Sequence, residues 1–78
     1  MAYTLIMLAP GSYDVMLNGV IVASLVRSLL TNNGWSAELL TDLPPEERPH
    51  PFIDLEHEFA DFDEVCRWFE NPEIAPAS

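Results

Sequence analysis

Basic residues are almost missing from this chain. Three arginines stand against 13 acids in 78 residues, and the formal net charge is −10. Such an excess repels nucleic acid, anionic lipid and other acidic proteins, and it favours basic partners. Cysteine occurs once, as Cys66. That excludes an intramolecular disulfide and agrees with a reducing cytosol. No apolar stretch reaches the about 18 residues of a membrane-spanning helix. The opening MAYTLIMLAPG is apolar but carries no positive n-region, so no signal peptide is expected there. The expected location is cytoplasmic.

Catalytic signatures are missing as well. There is no glycine-rich phosphate loop, no paired-cysteine metal pattern and no G-x-S-x-G nucleophile elbow. His50 and the EHE triplet at 56–58 offer metal-ligating side chains. Neighbours along a strand point to opposite faces, however, so the triplet cannot converge on one ion. Paired carboxylates can do acid–base work, but nothing in so short a chain indicates a substrate pocket. The expectation is a non-enzyme without metal or cofactor. Cys66 sits on an apolar helix stripe and reads as a small core residue, not a nucleophile.

What is present is enough apolar mass to fold, since 49% of the residues are hydrophobic. The length allows one domain, residues 1–78, of modest stability. A monomer is expected, with an ordered core over about 3–71 and a loose tail over 72–78.

YTLIML at 3–8 is a continuous apolar run stopped by APGS, which reads as a buried strand and a turn. In YDVMLNGVIVASLVR, Asn18-Gly19 joins two apolar, β-branched runs. A type I′ hairpin turn needs positive φ at both central residues, and Asn-Gly supplies it. The turn would set Leu17 opposite Val20 and Val15 opposite Val22, with Tyr13 on the same sheet face. A helix is the alternative over 20–31. Ile21, Val22, Leu25, Val26, Leu29 and Leu30 also form a helical stripe, with Asn33-Gly34 as its C-cap. The β-branched residues and the turn favour the strand.

TNNG then reads as a second turn, and WSAELLT as a strand with Trp35, Ala37 and Leu39 on one face. The prolines of DLPPEERPHP exclude a helix interior or central strand, so 42–51 is expected to be an ordered loop over the sheet. The last element starts at Asp61, an N-cap with Glu64 at capping-box spacing. Phe62, Val65, Cys66 and Phe69 recur at i, i+3, i+4 and i+7, and Pro72 ends the helix. The predicted fold is α+β: a small antiparallel sheet of three to four strands, with the helix 62–70 packed on one face.

Segment 42–73 holds 11 of the 13 acids. Within it, FIDLEHEF alternates Asp54, Glu56 and Glu58 with Leu55, His57 and Phe59. An extended strand would set the three carboxylates in a row about 6.6 Å apart. The row would continue into Asp61, Asp63 and Glu64 at the helix start. Two readings stand. A charge run is ordinarily a solvated face, but a surface built only for solubility mixes both signs. A single-signed, ordered row is also what a surface for a basic partner requires. Phosphates along a DNA strand advance about 3.4 Å each, so a DNA mimic is suggested by charge more than by shape. Trp68 lies off the main helix stripe and is a candidate contact residue.

YDVMLNGVIVASLVR, WSAELL and FADFDEVCRWF, taken together, resemble small phage and prophage proteins of proteobacteria. Among those with known activity, the layout is similar to the anti-CRISPR proteins, above all the small acidic inhibitors of type I systems. The resemblance covers about residues 3–70 and rests on architecture, size and charge. It implies a non-enzymatic inhibitor that binds the crRNA-guided surveillance complex (Cascade) or its nuclease. An acidic face would dock on lysines and arginines of a Cas subunit and block target DNA. The partner-binding residues would be Asp54, Glu56, Glu58, Asp61, Asp63, Glu64 and Trp68, with Phe52 and Leu55 as further anchors if the core does not take them. The alternatives are another acidic protein-binding module, such as an antitoxin or a regulator of a DNA-binding protein, and a phage accessory protein.

Overall fold

A computed structural model describes residues 3–28 and 33–76. They form β1 (Tyr3–Ala9), β2 (Ser12–Leu17), β3 (Val20–Arg27), β4 (Trp35–Leu39), a 3-10 turn (Pro45–Glu47), β5 (Glu56–Phe59), α1 (Phe62–Trp68) and β6 (Glu73–Pro76). The strands make one six-stranded sheet in the order β5-β4-β3-β2-β1-β6. Every neighbouring pair is antiparallel except β1 and β6, which are parallel. The fold is α+β as expected, but it has more strands than the predicted three to four, and the sheet is mixed. No helix among the described residues is long and apolar enough to cross a membrane.

The hairpin forms where Asn-Gly places it. Asn18 and Gly19 have φ of 53° and 80°, the positive values that a type I′ turn demands. Leu17 faces Val20, but Val15 faces Ala23 instead of the expected Val22. A bulge absorbs one residue between them, and a bulge of this kind sharpens the local twist. Residues 20–27 are strand, not helix. Leu29, Leu30 and the first residues of TNNG lie outside the described residues.

The tail expected to be loose contributes β6. Thr4 aligns with Glu73 and Met7 with Pro76. The route of the chain explains the parallel pairing. β5 lies at one edge, α1 crosses one face, and the chain emerges at the other edge beside β1. The helix stops at Trp68, short of Pro72. Glu70 donates its N–H to Arg67, and Asn71 donates to Cys66 at 2.8 Å. This is a Schellman cap, with Glu70 and Asn71 both at positive φ.

Alternate strand positions build the core. Tyr3, Leu5, Val15, Leu17, Ala23, Leu25, Ala37, Leu39 and Phe59 are buried on one sheet face, and Val65, Phe69 and Phe52 pack over them. Phe52 comes from the 42–55 connection, so that loop is part of the core lid. One hydrogen bond ties it to β1, and two more brace it internally. The Tyr3 hydroxyl donates to the His50 carbonyl at 2.6 Å. The Arg48 guanidinium donates to the carbonyls of Leu43 and Ile53. Of the predicted helix stripe, Val65 and Phe69 are buried, while Phe62 and Cys66 are half-buried. Phe62 instead joins a ring triad, 5.5 Å from Tyr13 and 5.1 Å from Trp35.

These placements rank two substitutions. Phe69→Ala empties a site with 1% exposure and should cost about 3–5 kcal/mol, enough to unfold a domain this small. Phe62→Ala should cost less, because its ring already meets water on one side. Thermal melts of both variants check the ranking, and equal losses would contradict it. A second test uses pH. Burial pushes the Tyr3 hydroxyl up to about 12 from 10.0. Between those values the unfolded chain loses the proton and the folded chain keeps it. Stability should therefore fall as pH rises from about 10 to 12. Tyr3→Phe should flatten that fall in denaturant titrations across the window.

Candidate binding surface

Side chains alternate across a strand, so the positions between the core residues define the opposite sheet face. Thr4, Ile6, Asp14, Met16, Ile21, Ser24, Ser36, Glu38, Glu56 and Glu58 occupy it, and none of them is buried. The ladder runs Glu56–Glu38–Ser24–Asp14–Ile6–Ala75 straight across the sheet. The register thus sorts the face by chemistry. Carboxylates crowd β4 and β5, while hydroxyl and aliphatic groups dominate β1 to β3, with Asp14 as the carboxylate among them. None of the ten positions is basic.

Only part of the expected acidic row survives as a row. Glu56 and Glu58 project together from β5 and are exposed. Asp54 is exposed in the bend before the strand, so the ladder does not fix its direction. Asp61, Asp63 and Glu64 belong to the start of α1, and α1 packs on the core face. One acidic row is therefore replaced by two groups, one on the open sheet face and one at the helix start. In the second group the Asp61 carboxylate accepts the Glu64 N–H at 2.9 Å. That capping bond gives Asp61 a structural task.

Glu38 joins the first group and was not among the sequence candidates. It lies directly opposite Glu56 in the antiparallel ladder, where opposed side chains sit about 4.5–5.5 Å apart at Cβ. Its separation of 18 residues from Glu56 hid it. The alternation of WSAEL does put Glu38 off the core face, and a correct strand pairing would have brought the two together.

Trp68 is placed against the core, not held out as a free contact. Its ring stacks on His57 at 4.4 Å with an interplanar angle of 10°. It also meets Phe52, Phe59 and Phe69 edge-on, at 4.9, 5.2 and 5.0 Å. Phe52 is buried and Leu55 packs half-buried against the cluster, so the core takes these proposed anchors as well. Ile53 and Leu40 are the exposed aliphatic groups near β5, at 81% and 59%. His57 faces the aromatic cluster and not the carboxylates on either side of it. Among the described residues no three of His, Cys, Asp and Glu gather as a metal-ligand set. Burial, and after it the Asp63 charge, pushes the Cys66 thiol up, which keeps it neutral and a poor nucleophile near pH 7.

Like charges set opposite one another in a ladder are destabilising. Glu56→Lys should convert the Glu38–Glu56 repulsion to attraction and raise stability by roughly 0.2–1 kcal/mol. The gain should shrink in high salt, because exposed charges are screened. Thermal melts at low and high ionic strength read both effects. A lowered midpoint at low salt would show that the two carboxylates do not face each other.

No family model, curated protein or solved structure matches this chain.

Proposed function

We propose that this protein is a non-enzymatic inhibitor of a type I CRISPR-Cas surveillance complex. It binds a basic, nucleic-acid-binding surface of a Cas subunit and blocks target DNA. The observation that carries the reading is the cluster Glu38, Glu56 and Glu58 on an ordered sheet, with no basic side chain among the described residues of that face to neutralise it. RNA-guided effectors hold nucleic acid in positively charged channels. A small protein of charge −10 is steered toward such a channel, and complementary fields raise the association rate. Occupying the channel suffices for inhibition, and no chemical step is needed. The helix-start acids Asp63 and Glu64, with Asp54 in the bend, extend the negative field without having to touch the partner.

The test is a DNA-binding competition on purified type I complex at several salt concentrations. Wild-type protein should displace target DNA less well as salt rises. The triple variant Glu38→Lys, Glu56→Lys, Glu58→Lys should lose displacement at least tenfold while keeping its circular dichroism and thermal midpoint. All three changes are at exposed positions, so the core is untouched. Undiminished displacement by the folded triple variant would sink the proposal for this face. Failure of the wild-type protein to displace DNA from any type I complex would sink it altogether.

A further inference from the structure

We infer that the partner docks flat on the helix-free face of the sheet and reads two chemistries there. The partner is a basic protein segment that also presents aliphatic side chains. This deepens the functional reading above but uses different residues: Ile6, Met16 and Ile21, which the acidic-row argument never involved. They are placed together by the ladder, which pairs Met16 with Ile21 and sets Ile6 two positions from Thr4, the partner of Met16. All three are half-buried, and none of them is among the hydrophobic residues packed against the core cluster. Solvent-facing strand positions ordinarily carry polar groups, as Ser24 and Ser36 do here. An aliphatic cluster on β1 to β3, beside Asp14 and toward the hairpin turn, therefore gives a partner a dry contact next to carboxylates.

Charge decides what covers it. Asp14 lies in the middle of the face, Glu73 at one edge, and Glu38, Glu56 and Glu58 at the other. A second copy applied face to face would bring these acids against their own equivalents, with −10 on each chain. Nucleic acid and anionic lipid are repelled. A basic segment with aliphatic anchors meets both halves of the face. The charges supply attraction at a distance, and burial of Ile6, Met16 and Ile21 supplies contact energy.

Two 14-residue peptides of equal positive charge test this. One is a lysine–leucine amphipathic helix former, and the other has serine at every leucine position. Titration into 15N-labelled protein should show the leucine peptide binding at least tenfold more tightly. Shifts should concentrate at the amides of β1 to β5 around residues 6, 16, 21, 38 and 56. The double variant Ile6→Thr, Met16→Thr should erase the difference between peptides while keeping the weaker, charge-driven binding. Equal affinities for the two peptides in the wild-type protein would overturn the inference, without reference to any variant. So would shifts confined to the helix start and the 42–51 loop, or sedimentation of the free protein as a dimer with this face protected from exchange. No CRISPR component enters the experiment. Leucine-dependent docking on this face thus stands even if displacement of DNA from type I complexes fails, and the converse also holds.

Discussion

Phe69 is where the distant parts of the chain meet. Its ring lies 4.8 Å from Tyr3, 6.0 Å from Phe52 and 6.3 Å from Phe59. Those rings belong to the first strand, the long connection and the strand at the far edge. The contact matters because α1 is only seven residues long, about 10 Å, while six strands span about 24 Å. One short helix cannot cover such a sheet. The connection supplies the rest of the cover through Phe52 and Leu55; the Tyr3–His50 hydrogen bond ties it to β1, and Arg48 braces it from within. Cover for a single face takes Phe52, Leu55, Val65 and Phe69 from outside the sheet. The second face has to be stable in water by itself, and its serines and carboxylates are what make that possible.

The elements legible in the sequence are those whose signals are local. Asn18-Gly19 announces a turn within four residues, and Asp61 announces a helix within one turn. The alternation in WSAEL separates Ala37 and Leu39 from Glu38 in the right sense. What escaped is non-local. β6 has four residues ending in Pro76 and follows Pro72, so by composition it reads as tail. It exists because α1 delivers the chain to the free edge of β1, where parallel pairing completes the backbone bonds of that edge. The bulge beside Val15 depends on sheet twist, and residue type alone does not reveal it. The placement of the acids divides the same way. Alternation within one segment suffices to put Glu56 and Glu58 on one face. Glu38 needed the register between two strands, and Trp68 needed the aromatic cluster that surrounds it.

The two edges of the sheet are protected by different means, and the difference bears on function. An open strand edge invites pairing with another chain, and proline or charge is the usual guard. At β6 the guard is proline: Pro76 has no N–H to offer. At β5 the guard is charge, since the strand carries Glu56 and Glu58 and contains no proline. Proline blocks all comers alike. Charge blocks selectively, and an edge lined by carboxylates rejects copies of itself while remaining open to a cationic chain. A solubilising surface does not require that selectivity, and like charges opposed across a ladder work against folding. A domain with so little core bears this cost at Glu38 and Glu56, where a single lysine would relieve it. Opposed carboxylates across the β4–β5 ladder thus work against the same small core that Phe69 ties together.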